Sequence, residues 1–268
     1  FRSDRGSNLF PLYLYPDDAA QGQKSLFSAE QIWHPDPANG NRVPNLNPAF
    51  VKDVEEKLGL AFQSQTSKVS KTFEVSSSSV STFTPEDLFH YIYAVFHSPT
   101  YRERYAEFLK IDFPRVPITS DVNLFRQLGE LGAALVELHL LESPQLNQFI
   151  TRYPVAGDNL VAKAHPKYFP HPSLPPSGEG TKSPPSGEIK EGERVYINKD
   201  QYIEGIPPEV WEFQVGGYQV LHKWLKDRKS RQLSYDDLAH YQKIVVALKE
   251  TIRIMDEIDA AIGEFPLN

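Results

Sequence analysis

A side chain able to cap a helix stands directly before a proline at Asn47-Pro48, again at Thr84-Pro85 and again at Ser98-Pro99. The pairing fixes where a helix begins. The capping oxygen accepts an amide that the first turn cannot satisfy internally. Proline presets φ for the first helical residue, loses nothing there by lacking an N–H, and cannot sit further inside. After Thr84-Pro85 the carboxylates of Glu86 and Asp87 also face the positive end of the helix dipole. Such a chain must be assembled from separate helices with specified starts. The expected ones are about 47–60, with Phe50, Val51, Val54 and Leu58 and a stop at Gly59, then 85–97 and 99–110.

Further helices follow from spacing. After Ser120, read as a cap, Leu124, Leu128, Leu131, Leu135 and Leu138 recur at steps of four and three, which predicts a helix over 120–142. Gly129 and Gly132 each cost that helix about 1 kcal/mol, so they are expected to mark close approach by another backbone. Gly216-Gly217 turns the chain into a helix over 217–228 carrying Val220, Leu221, Trp224 and Leu225. Ser234, with Asp236 and Asp237 in the first turn, opens a helix over 234–262 ending near Gly263. Strand content is sparse: Leu9–Pro16, edge-like because of its prolines, then Arg194–Asn198 and the alternating Val210–Val215. Ser76–Ser81 is read as a connector or an exposed strand end. Between 165 and 192 the composition shifts to Pro, Gly and Ser, and Pro-Pro-Ser-Gly-Glu at 175–179 recurs at 184–188. The fold class expected is α+β, helix-rich with small antiparallel sheet elements. It forms one domain over 1–268, with sub-parts 1–164 and 193–268 joined by the loop 165–192.

Composition removes several classes of function. With no cysteine there are neither disulfides nor thiolate metal sites, and no apolar run approaches the ~20 residues needed to cross a bilayer. The expectation is a cytoplasmic protein without a membrane partner. The net charge of −7 rules out binding nucleic acid by a uniform positive field, so any DNA role must use local patches. The opening Phe1-Arg2-Ser3-Asp4, lacking an initiator Met and a leader, reads as an artificial beginning, either an internal boundary of a longer polypeptide or a trimmed start.

No catalytic motif survives inspection. Asn47-Pro48-Ala49-Phe50 has the look of the turn that holds a target nitrogen in amino-methyltransferases. It lacks the second proline and any preceding glycine-rich cofactor turn, so a helix cap is the reading. Asp17 with Glu55, Glu56 and Lys57, or Glu188 with Lys190, has the residue types of a metal-dependent nuclease, a pattern common by chance. Gly178–Ser183 lacks the contiguous Gly-Lys-Ser of a phosphate loop, and His165 and His171 sit six apart among prolines where no helix sets their geometry. No metal or cofactor is assigned to this chain. One stretch stands out by charge: Lys223, Lys226, Arg228, Lys229 and Arg231 in nine residues, opposed only by Asp227. They are candidates for DNA phosphate contact, together with the amides of Gly216 and Gly217, although a charged helix end explains the same residues. A weaker candidate patch is Tyr101, Arg102, Arg104 and Arg115, with Lys110 and Tyr105 nearby and Glu103 and Glu107 interleaved.

Two long stretches carry a family resemblance: FHYIYAVFHSPTYRERYAEFLKIDFPRVP at 89–117 with FRQLGELGAALVELHLLE at 125–142, and GGYQVLHKWLKDRKSRQLSYDDLAHYQKIVVALKETIRIMDEID at 216–259. With LFPLYLYP and VWEFQV, they resemble the C-terminal specificity domain of type ISP restriction-modification enzymes, over most of the chain outside 165–192. The resemblance implies a target-recognition domain that binds double-stranded DNA and has no catalytic residues of its own. In that family it follows a nuclease, a helicase-like motor and an adenine N6-methyltransferase on one polypeptide, so S-adenosylmethionine is expected in the linked methyltransferase domain. A helical module docking on that neighbour without touching DNA is the alternative. An enzyme using Asn47 or Asp17 is the third reading.

Overall fold

In a computed structural model the chain is described over residues 11–15, 40, 42–64, 82–170 and 193–267. The Ser76–Ser81 connector, Asp17, His171 and the duplicated Pro-Pro-Ser-Gly-Glu stretches lie outside the described residues.

The capped prolines start helices as their chemistry requires. Helix α1 (Pro48–Leu58) is capped by Asn47, whose Oδ1 accepts from the Ala49 amide, and it ends on Gly59 at φ 66°. Helix α2 (Pro85–His97) has a reciprocal capping box between Thr84 and Asp87. Ser98 caps α3 (Pro99–Arg104) through the Tyr101 amide. The helix expected over 99–110 is interrupted: Tyr105 leaves the helical range at φ −103°, ψ 14°, and a short α4 (Ala106–Leu109) follows. Neither Gly nor Pro causes the break; the Tyr105 ring packs against Tyr101 and Phe265 at 5.0 and 6.1 Å. Helix α5 (Val122–His139) is capped by Asp121 rather than Ser120, because the Asp121 carboxylate reaches the amides of Asn123 and Leu124.

The described residues group into two compact units, 1–136 with 255–268 and 137–254. The boundaries fall inside α5 and inside the long helix α8 (Tyr235–Ile262), not at the proline-rich loop. The reason is visible in the sheet. Strand β5 (Lys167–Phe169), inside the stretch read as a loop, pairs antiparallel with β6 (Arg194–Tyr196), and β6 pairs with β7 (Tyr202–Glu204). The 165–192 stretch therefore interrupts one small sheet.

The first unit contains an antiparallel pair, β1 (Tyr13–Leu14) with β2 (Val43–Pro44), and a parallel pair, β3 (Ala61–Phe62) with β4 (Thr82–Phe83). The parallel pair departs from the antiparallel expectation. Its core joins Phe83, Leu88, Tyr91, Phe125 and Leu128, all at most 1% exposed, and the Tyr91 ring stacks on Phe125 at 5.0 Å. Burying Tyr91 requires a partner for its hydroxyl, which donates to the Pro117 carbonyl at 2.7 Å and accepts from the Thr119 amide. Gly132 of α5 sits so close to α2 that a Cβ there would lie 1.9 Å from the His90 carbonyl oxygen, whereas one on Gly129 would meet nothing nearer than 3.9 Å. Only Gly132 answers the expectation of close backbone approach.

The second unit packs its sheet and helices around Val195, Ile203, Leu221, Leu225, Tyr241 and Val245. Val210–Val215 is not one strand. Pro208 opens helix α6 (Pro208–Glu212), which buries the adjacent Val210 and Trp211, as a helix can and a half-exposed strand cannot. Strand β8 (Gln214–Val215) then turns into β9 (Tyr218–Gln219), and α7 (Val220–Lys226) follows.

Candidate nucleic-acid interface

The basic stretch of the second unit is positioned by three local structures. The first is the β8–β9 hairpin. Gly216 and Gly217 have φ of 58° and 81°, both in the left-handed region, as a two-residue type I′ turn requires. The glycine amides therefore sit at a hairpin tip, separated from α7 by β9, and not at a helix N-terminus as the sequence suggested. A Cβ added at either glycine would meet nothing within 4 Å. Val215 and Tyr218, paired across the turn, are each 61% exposed.

The second structure is α7, anchored by fully buried Leu221 and Leu225. Its polar face carries Lys223, ion-paired with Asp227 one turn on, and Lys226. The third is the capping box opening α8. Ser234 and Asp237 exchange amide bonds, with Ser234 N to the Asp237 carboxylate at 3.0 Å and Asp237 N to the Ser234 hydroxyl at 3.1 Å. The same carboxylate holds Arg231 at 3.0 and 3.1 Å. Arg228 lies across the Trp224 ring at 3.5 Å and donates to the Trp224 carbonyl.

The five cations thus fall into two groups. Lys223, Arg228 and Arg231 are engaged by Asp227, Trp224 and Asp237. Lys226 and Lys229 are exposed and have no ion-pair partner among the described residues. Burial first, and then the charges of Lys226 and Lys229, push His222 below its ordinary value.

Asp237 also makes the scaffold sensitive to acid. The Ser234 backbone amide holds its carboxyl below the ordinary value of 3.8, aided by the Ser234 hydroxyl and Arg231 and opposed by burial. The folded pKa is depressed, so the stabilisation is complete above the unfolded value and fades as pH falls through the lower folded value. Asp237→Asn should lower stability at pH 7 and flatten its decline in acid, which begins where the unfolded carboxyl takes up its proton, near the ordinary value of 3.8. Urea titrations at pH 7 and pH 3 check this; parallel losses in both proteins would show that the carboxylate charge contributes nothing.

Residues that sequence reasoning missed hold the basic segment from behind. The 228–233 turn is joined to 159–161 by backbone bonds: Ser230 N to Val161 O at 2.8 Å, Val161 N to Arg231 O at 3.1 Å and Leu233 N to Asn159 O at 2.9 Å. Asn159, at φ 55°, is in turn fixed by Gln201, which is 2% exposed. Gln201 Oε1 accepts from the Asn159 amide and its Nε2 donates to Asn159 Oδ1, both at 2.9 Å. The one available signal was Gly157-Asp158-Asn159, a turn-forming run.

The second candidate patch belongs to the first unit and is mostly structural. Tyr101 is 3% exposed and donates to the Arg115 carbonyl at 2.7 Å, so it is a packing residue. Arg102 Nε donates to the Phe96 carbonyl, and Lys110 pairs with Glu107. Arg104 and Arg115 are exposed, without an ion-pair partner among the described residues. Asn47 is occupied by its capping role, and among the described residues no group of His, Asp and Glu gathers as metal ligands would. Nor is any described helix long and apolar enough to cross a membrane.

No curated protein sequence matches the chain. Solved structures do. A DNA complex of DrdV is 20% identical, with TM-score 0.52 over 85% of this chain. A nuclease-deletion mutant of the Type ISP restriction-modification enzyme LlaGI, in complex with a DNA substrate mimic, is 22% identical, with TM-score 0.44 over 64%. The ATP-dependent Type ISP enzyme LlaBIII bound to DNA is 18% identical, with TM-score 0.46 over 69%. At such identities the likeness to DrdV concerns the fold alone. The matches span 21%, 13% and 12% of those chains respectively, so this chain corresponds to a small part of each. The model of the Type ISP C-terminal specificity domain matches residues 1–257, which is nearly the whole chain, and the chain belongs to that family.

Proposed function

We propose that this domain recognises a DNA sequence for a longer restriction-modification polypeptide. It would hold the duplex for a covalently linked adenine N6-methyltransferase domain, where S-adenosylmethionine would bind, and for the restriction machinery. In this reading the chain itself is not an enzyme. The observation that carries it is the pair of exposed lysines, Lys226 and Lys229, without an ion-pair partner among the described residues, at the end of the helix that follows an exposed hairpin in a member of a specificity-domain family. In an acidic protein, a local cationic site of this kind can fix register on phosphates while neighbouring side chains read bases. Lys223, Arg228 and Arg231 add to the local field but are committed to the scaffold.

Salt dependence tests the assignment. Each phosphate contact contributes about 0.9 to the slope of log affinity against log salt, so Lys226→Ala with Lys229→Ala should flatten that slope by roughly two. Binding to a duplex would weaken similarly for every sequence. An unchanged slope would remove these lysines from the interface. Methyl transfer to DNA by the isolated chain would revive an enzymatic reading.

A second reading has its own observation. In the first unit Phe108, Ile111 and Phe113 are 71%, 84% and 66% exposed beside a cleft of about 400 Å³ lined by Tyr105, Pro114 and Val116. This suits docking onto a protein neighbour without DNA contact. Loss of salt-dependent duplex binding from the wild-type chain would favour it.

A further inference from the structure

The hairpin beside the lysines has features that backbone anchoring leaves unexplained. Its register pairs Gln214 with Gln219 and Val215 with Tyr218, so successive pairs face opposite sides of the ribbon. One face carries two amides. The other carries a valine and a tyrosine, each 61% exposed, that the core does not claim. The base of the ribbon is fixed: Trp211 is 7% exposed and stacks on Tyr168, Phe213 packs against the core, and Val220 N closes onto the Phe213 carbonyl at 3.2 Å. The tip stands clear, with nothing within 4 Å of where a Cβ on Gly216 or Gly217 would be. A rigid base, a thin tip and an exposed apolar pair describe a probe that enters something.

Charge decides what. Lys223 Nζ lies 6.0 Å from the centre of the Tyr218 ring, and Lys226 and Lys229 follow without ion-pair partners among the described residues. In sequence the cations follow the apolar pair while Glu209 and Glu212 precede it, so a polyanion would meet the hairpin from its Lys223 side. A two-stranded ribbon fits the major groove of B-DNA, where thymine methyl groups offer apolar contact and base edges offer hydrogen-bond partners.

We propose that the Gln214–Gln219 hairpin is the base-reading element of this domain, entering the major groove with Val215 and Tyr218 against base edges. Lys226 and Lys229 hold the flanking phosphates. The glycines at the tip let the backbone approach the base pairs closely. This rests on the DNA-recognition reading above and adds to it which residues carry the sequence preference.

The test is selection of bound duplexes from a randomised pool by the full chain, compared with Val215→Ala, Tyr218→Ala and the Lys226→Ala, Lys229→Ala double variant. The wild type should enrich a defined motif. Both hairpin variants remove exposed side chains and should melt as the wild type does. Each should lose about tenfold of the preference at one or two motif positions, with the salt slope unchanged. The lysine variant should keep the motif and lose slope. If the wild type enriches a motif that both hairpin variants retain in full, the hairpin is not the reader, although the domain still recognises DNA. Weakening equal for all sequences would make the hairpin a non-specific contact, and likewise overturn the proposal. Enrichment of no motif by the wild type would remove the reading on which it rests.

Discussion

Replacing Gly132 with alanine should destabilise the chain by about 3 kcal/mol or more, while the same change at Gly129, three residues away, should stabilise it by up to about 1 kcal/mol. Both glycines lie inside α5, where alanine is the better helix former. The difference is what the new methyl meets. At Gly132 it would lie 1.9 Å from the His90 carbonyl oxygen and 2.7 Å from the carbonyl carbon, both part of the α2 backbone. Neither atom can rotate away, so the two helices must separate and the contacts of Leu128, Leu135 and Tyr91 with their surroundings must loosen. At Gly129 the nearest atom is 3.9 Å away, ordinary contact, so the propensity gain remains. Urea denaturation of both variants measures the difference. A Gly132→Ala protein as stable as the wild type would mean that α5 and α2 do not approach so closely.

Gln201→Ala should cost about 3 kcal/mol and loosen the basic segment without removing any charge from it. The side chain is 2% exposed and bonded at both ends: Nε2 donates to the Val155 carbonyl at 3.1 Å, and Oε1 accepts from Asn198 Nδ2 at 2.9 Å as well as from the Asn159 amide. Truncation leaves half-buried backbone groups on Val155 and Asn159 without these partners, and that penalty adds to the modest net value of the bonds themselves. Asn159 and Val161 hold Ser230, Arg231 and Leu233 by backbone bonds. The loss should therefore travel to the turn beside Lys229. Hydrogen exchange reads it directly: the amides of Val161, Ser230 and Leu233 should lose protection together, and retained protection there would uncouple Gln201 from the site.

The parts of this fold that were legible are those set by chemistry within a few residues. A capping oxygen before a proline, or Ser234 three residues before Asp237, determines a helix start wherever the helix later packs. The misplaced elements turn on longer-range choices. Val210–Val215 alternates like a strand, yet Pro208 and the burial of both Val210 and Trp211 make its first part helical. Tyr105 leaves the helical range where its ring packs on Phe265, far away in sequence. Gly216-Gly217 was correctly read as a turn, but its meaning changed, since a hairpin tip presents side chains where a helix N-terminus would present amides. In the candidate site, charge density was visible and charge pairing was not. Nothing in the spacing of Arg228 and Arg231 announces that Trp224 and Asp237 engage them, and so Lys226 and Lys229 could not be told apart from them in the sequence.

That this domain reads DNA sequence is tested most directly by transplanting residues 1–257 in place of the C-terminal specificity domain of a Type ISP restriction-modification enzyme whose modified sites are known. The sites modified in cells would then be mapped. Modification should then move to a new motif, and Tyr218→Ala in the transplanted domain should degrade that motif at one or two positions. Modification that continues at the host enzyme's original sites would contradict sequence reading by this domain.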